Sequence, residues 1–151
     1  MMLPSPILMI CAGNLCRSPF AELYMSNRLD ELGVSAECYS RGLLAMPGRK
    51  APEKAIAVAE EFGVDLSEHI SQPMLGPDLD RAALAMVMEP AQRQHLSKVR
   101  PAYIGKVFLL SQPVGGKTIL DPMGRSEETF RAVYTEITES VDAWIKRFGI
   151  S

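Results

Sequence analysis

Cys11 and Arg17, in the stretch Cys11-Ala-Gly-Asn-Leu-Cys-Arg-Ser18, pair a soft nucleophile with a planar cation. The apolar run Ile7-Leu8-Met9-Ile10 ahead of them reads as a buried strand, and Ser18-Pro19 reads as the opening of a helix. The residues between thiol and guanidinium suffice for a loop that curls around a tetrahedral oxyanion. Its successive N–H groups turn inward and the positive end of the helix lies behind them. Such a field favours a thiolate, and the arginine fork holds two oxygens of the same anion. The stretch has the outline of a covalent phosphate-transfer site.

Each of these residues also has a plainer reading. A free cysteine is often a small buried hydrophobe, and most arginines are solvated surface groups. The company of Gly13, Asn14, Arg17 and Ser18 at the carboxyl end of a strand argues for chemistry at Cys11, because open α/β sheets bind ligands at such ends. Gly13 and Asn14 fall where the loop turns tightly, and both tolerate positive φ. Ser18 has two compatible roles, helix cap and hydrogen-bond donor to the Cys11 sulfur. Cys16 is either filler or a second thiol placed to trap an oxidised Cys11 as a reversible disulfide. Cys38 reads as core.

Phosphoryl transfer through sulfur also needs a proton donor for the leaving oxygen. The candidate is Asp121 in Leu120-Asp-Pro-Met-Gly124, kept out of helical geometry by Pro122; an ordinary turn aspartate is the alternative. His95 reads as a solvated helix residue. His69, after Asp65-Leu66-Ser67, reads as a hydrogen-bonding brace in a loop.

The elements that must position these groups follow from periodicity. Residues 6–11 form a first strand, apolar throughout as for a parallel strand covered on both faces. A helix over 18–32 follows, with Phe20, Leu23, Leu29 and Leu32 in its buried stripe and Gly33 as its stop. A second strand is expected over 35–40, ending in a Ser40-Arg41-Gly42 turn. A second helix spans 52–62, with Ala55, Ile56, Ala59 and Phe62 on one face. The Pro- and Gly-interrupted stretch 65–80 reads as mostly loop with a single short turn of helix. Strands are expected over 82–88 and 106–110, with a helix from Pro90 to Lys98 between them. The final helix, 126–148, repeats apolar residues from Phe130 through Phe148 at helical spacing. Alternating strands and helices predict an α/β fold: an open three-layer sandwich with a four-stranded parallel sheet and the phosphate loop after its first strand.

The length of 151 residues suits one domain over the whole chain. Apolar residues make up 47% and charged residues 23%, ordinary for a globular protein, and a net charge of −2 offers no basic footprint for nucleic acid. The opening apolar run is too short to span a membrane and lacks a basic leader, so no membrane insertion and a cytoplasmic location are expected. Three cysteines do not make a disulfide framework, and with two histidines no metal site is expected.

Cys11-x5-Arg17-Ser18-Pro19 together with Asp121-Pro122 resembles the low-molecular-weight protein tyrosine phosphatase family. The similarity runs over nearly the whole chain, through Ser40-x-Gly42, Gly63-Val-Asp-Leu-Ser-x-His69, Val87-Met-Glu89 and the long last helix. The resemblance implies a phosphotyrosine phosphatase that works without cofactor through a phosphocysteine intermediate. In it Cys11 is the nucleophile, Arg17 the clamp and Asp121 the acid and then base. Ala12, Gly13, Asn14, Leu15 and Cys16 form the phosphate loop, braced by Ser18, Ser40 and His69. It further implies a phosphotyrosine-containing protein as partner, a bacterial tyrosine autokinase being a candidate; a monomer is expected because no separate exposed apolar stripe stands out. Two departures concern the pocket wall: Met123 with Gly124 stands where the family carries aromatic residues, and Arg41 stands where it carries alanine. Arginine phosphatases of the same family, a catalytically weak phosphate-binding regulator, and arsenate reductases are the alternative readings. The last lack support because no cysteine pair follows Cys38.

Overall fold

The computed structural model describes residues 3–150. Four strands, β1 (Ile7–Cys11), β2 (Cys38–Gly42), β3 (Leu84–Val87) and β4 (Val107–Leu109), form one parallel sheet in the order β2-β1-β3-β4. Five α-helices accompany them: α1 (Arg17–Glu31), α2 (Glu53–Glu61), α3 (Gly76–Arg81), α4 (Pro90–Val99) and α5 (Glu127–Arg147).

The sequence of β1 shows why both sheet faces are covered. Ile7, Met9 and Cys11 enter a core shared with Phe20, Met25 and the apolar stripe of α5, while Leu8 and Ile10 enter a second core with Leu79 and Leu96. Successive side chains of a strand point to opposite faces, so a strand between two helix layers must be apolar at every position. β3 divides likewise: Leu84 and Met86 go to the first core, Ala85 and Val87 to the second. The three layers follow. All the apolar positions expected on α5, from Phe130 to Phe148, are buried.

Several boundaries differ from the sequence-based expectation. β2 begins at Cys38 and runs through Gly42, so Ser40, Arg41 and Gly42 lie in the strand and not in a turn after it. The cause is register: Ile7 pairs with Cys38 and Cys11 with Gly42, so the length of β1 sets the length of β2. Between 65 and 80 the chain forms α3, a full six-residue helix; Pro77 falls in its first turn, where a missing N–H costs nothing, and Leu79 is buried beneath it. β3 is shorter than the apolar run that contains it. In α1 the buried stripe includes Ala21 and Met25, whereas Leu23 and Leu32 only flank the core; in α2 Val58 is buried where Ile56 and Phe62 are half-buried. Cys38 is partly buried against the first core. Short 3-10 turns at Pro101–Lys106 and Gln112–Val114 have no clear sequence signal.

The strand order places β1 between β2 and β3, with chain connections leaving in opposite directions. The crevice at the carboxyl ends of such neighbours is where open α/β sheets take ligands. The loop 12–16 occupies it.

Candidate active site

Cys11 ends β1 and is 2% exposed. Its sulfur lies 2.9 Å from Ser18 Oγ and accepts the Asn14 N–H at 3.2 Å. Ser18 stands inside α1, whose N-cap is Cys16, so its hydroxyl is not a helix cap. Asn14 Nδ2 donates to Ser18 Oγ at 2.9 Å, and toward a Cys11 thiolate Ser18 is the donor.

Asn14 organises the loop. It takes φ 54°, the only positive φ of a side-chained residue among those described, whereas Gly13 does not adopt this conformation. Asparagine tolerates the left-handed region because its short amide finds local partners. Here every polar group is matched. Nδ2 donates also to Ser40 Oγ at 3.0 Å, Oδ1 accepts from Gln72 N at 2.9 Å, and the main-chain oxygen meets His69 Nε2 at 2.7 Å. Because that oxygen only accepts, His69 Nε2 carries the proton. Burial pushes the His69 pKa down, against the hydrogen bond to Asn14. Ser40 passes the chain on to Glu22 Oε1 at 2.7 Å, and burial raises the Glu22 pKa.

β2 also presses against the loop. Leu43 N and Leu44 N donate to Cys11 O and Ala12 O, both at 2.9 Å. A Cβ on Gly42 would lie 2.6 Å from Ala12 O, so only glycine permits this approach. From the other side Tyr134 of α5 donates to Cys16 O at 2.9 Å, while its ring stacks on Phe20 with centroids 3.8 Å apart. Burial drives the Tyr134 pKa up, which keeps its hydroxyl a donor.

Arg17 is 2% exposed and opens α1. Its Nη1 donates to Glu89 Oε2 at 2.7 Å and to Ile119 O at 2.8 Å, which uses both hydrogens of that nitrogen. Nη2 and Nε remain as the fork for an anion. Glu89 is in turn tied to Gln92, whose Oε1 accepts from Met88 N and Glu89 N at 2.9 and 3.1 Å.

Asp121, about half exposed, brings Oδ2 to 3.8 Å from Arg17 Nη2, and its Oδ1 accepts from Met123 N at 3.0 Å. Arg17 and Asp121 line one cleft of about 260 Å³ with Cys11, Ala12, Gly13, Leu15, Cys16, Leu44 and Met123. Larger cavities elsewhere do not include Cys11. The two loop cysteines differ: burial foremost, then the Asp121 and Cys11 charges, pushes the Cys16 thiol up to about 12, so it stays protonated at neutral pH.

One expected wall residue is elsewhere. Arg41 does not line the cleft; its Nε pairs with Asp78 Oδ2 at 3.2 Å and its guanidinium lies 5.2 Å from the Tyr39 ring centroid. Side chains alternate along β2, so Ser40 reaches the loop and its neighbour turns away. Sequence reasoning missed Glu22, Leu44, Gln72, Ile119 and Tyr134. The acidic Glu89, noted only as a strand end, is the residue that holds Arg17. His95 is exposed on α4.

This arrangement can place a thiol, a cationic fork and a carboxylate around one phosphoryl group, with the Asn14 N–H on the sulfur. The chain belongs to the low molecular weight protein tyrosine phosphatase family, whose profile, described as low molecular weight phosphotyrosine protein phosphatase, matches residues 6–149. The "probable low molecular weight protein-tyrosine-phosphatase EpsP" of Ralstonia nicotianae is 37% identical over 141 residues, covering 93% of this chain and 94% of that one. Wzb of Vibrio vulnificus, solved with benzylphosphonate, superposes with a TM-score of 0.86 at 34% identity over 93% of this chain and 97% of its own. The YwlE arginine phosphatase of Geobacillus stearothermophilus gives 0.85 at 30% identity over 95% of this chain and 92% of that one. No helix among the described residues is long and apolar enough to cross a membrane.

Proposed function

We propose that this chain hydrolyses phosphotyrosine in proteins in two steps on Cys11. The thiolate attacks phosphorus in line and the bond to the tyrosyl oxygen breaks as Asp121 gives that oxygen its proton, leaving phosphocysteine and neutral tyrosine. Asp121 then takes a proton from water as the water oxygen attacks phosphorus. The P–S bond breaks, inorganic phosphate leaves, and the thiolate is restored. Ser18 and the Asn14 N–H stabilise the sulfur as attacking and leaving group, and the free edge of Arg17 follows the charge onto the equatorial oxygens. The observation that carries the reading is the Cys11 sulfur, held at 2.9 Å by Ser18 at the floor of the cleft that also contains Arg17 and Asp121.

A second reading, phosphoarginine hydrolysis, draws on the likeness to the Geobacillus enzyme. The apolar Leu15, Leu44 and Met123 of the cleft favour an aryl ring over a guanidinium. The partner is accordingly a protein that carries phosphotyrosine. Hydrolysis of phosphotyrosine and phosphoarginine peptides side by side tests both readings. Release of phosphate from the first, lost in Cys11→Ser, supports the proposal; release from the second alone overturns it.

A further inference from the structure

Leu44 is 83% exposed, the most exposed of the large apolar side chains among the described residues. One side of it belongs to the catalytic cleft. The other lines a separate cavity of about 210 Å³, formed with Ala12, Leu43, Ala91, Gln92 and His95. Ala12 and Leu44 thus border both spaces, and the cavity continues the cleft toward the first turns of α4.

This groove is built rigidly, and its lining holds no carboxylate, lysine or arginine. The backbone of Leu43 and Leu44 is bonded to Cys11 O and Ala12 O, which fixes both leucines relative to the nucleophile. Leu43 packs into the second core. Gln92 spends its amide on Met88 N, Glu89 N and the Glu89 carboxylate, so its methylenes are what it offers the groove. His95 is the single titratable side chain in the lining.

We propose that this groove receives an apolar side chain of the substrate protein next to its phosphotyrosine, and so selects for apolar-flanked sites; the proposal rests on the phosphotyrosine reading above. Continuity with the cleft names the occupant. A phosphotyrosine bound at Cys11 carries its neighbours along at about 3.3–3.6 Å per residue, within reach of a groove that shares two wall residues with the cleft. A leucine or methionine placed there covers Leu44 and removes apolar surface from water on both partners. An aspartate or lysine is desolvated against Ala12, Leu43 and Ala91, and no carboxylate, lysine or arginine of the lining meets it.

The test measures kcat/KM on phosphotyrosine peptides bearing leucine, aspartate or lysine at each flanking position. p-Nitrophenyl phosphate, which reaches only the cleft, serves as reference. Leucine at one flank is expected to raise kcat/KM about tenfold over aspartate, mainly through KM. Ala91→Glu, on the exposed first turn of α4 and outside the cleft, should turn the preference from leucine to lysine, whose ammonium meets the new carboxylate, and leave p-nitrophenyl phosphate turnover unchanged. His95→Glu provides an independent second variant with the same expectation. Equal kcat/KM for the wild type on apolar and acidic flanks, or a preference for leucine over lysine that survives both variants, overturns the groove proposal alone. Failure to turn over any aryl phosphate overturns the underlying reading with it. A dimer in sedimentation that Ala91→Glu dissociates makes the groove a contact between copies and also overturns the proposal.

Discussion

Arg17 and Glu89 meet at 2.7 Å although they are far apart in the chain and Arg17 is almost wholly buried. One nitrogen of the guanidinium is thereby committed to the protein, and the direction of the remaining fork is set before any anion arrives. Glu89→Gln keeps the shape and removes the charge. Its kcat on an aryl phosphate should fall by up to about a hundredfold, the scale of a misplaced catalytic group. Equal activity in steady-state assays of the two proteins would show that Arg17 is aimed by other contacts.

Gly42 and the Ala12 carbonyl provide a test of how tightly β2 supports the loop. A methyl group at 2.6 Å from a backbone oxygen and 2.7 Å from the Ala45 Cβ has no room. Gly42→Ala should cost about 1–3 kcal/mol through overpacking and reduce activity as the loop shifts. Thermal melts beside kcat measurements check both effects.

Removing the Tyr134 hydroxyl leaves the buried Cys16 carbonyl without its donor while the stack on Phe20 stays. Tyr134→Phe should therefore destabilise by about 1–3 kcal/mol, read by denaturant titration. An unchanged midpoint would mean that another donor reaches the carbonyl.

Stability should depend on pH through His69. Its folded pKa is lowered from 6.5, chiefly by burial, so the folded state resists protonation more than the unfolded chain does. The stabilisation is complete above about 6.5 and is lost as pH falls through the lowered folded value. Wild type should lose stability below pH 6.5 more steeply than His69→Gln. Parallel curves would show that His69 does not set the pH dependence.

The cysteines should differ in reactivity. With its thiol pushed up to about 12, Cys16 should resist iodoacetate at neutral pH, as should Cys38, also raised to about 12 by burial first and by nearby acidic residues. Peptide mass mapping should place the label on Cys11, with inorganic phosphate slowing the reaction.

Much of this architecture is legible in the sequence because local signals and tertiary demands agree. α5 declares itself through eight apolar positions at one helical spacing, and β1 through an unbroken apolar run that two cores require. The Cys11 to Ser18 stretch is legible because its chemistry is contiguous. What the sequence hides is set by contacts between distant segments. β2 extends through Gly42 because β1 does, and Arg41 turns to Asp78 because Ser40 turns to the loop. Positive φ falls on Asn14 and not on Gly13, since five hydrogen bonds to and from Asn14 outweigh the intrinsic ease of glycine. Glu89, Ile119 and Tyr134 converge on the loop from the N-cap of α4, the segment before Asp121 and α5, and no local pattern marks them.

If phosphorus passes through Cys11 sulfur, a phosphocysteine can be trapped. Asp121→Asn, mixed rapidly with p-nitrophenyl phosphate and quenched, retains a good leaving group but lacks the base for the second step. Its kcat should fall about 10²–10⁴-fold, and mass spectrometry should find one phosphoryl group on the peptide containing Cys11, absent from Cys11→Ser. Wild-type turnover with no phosphoryl group ever found on Cys11, or turnover that persists in Cys11→Ser, would mean that phosphorus does not pass through this sulfur.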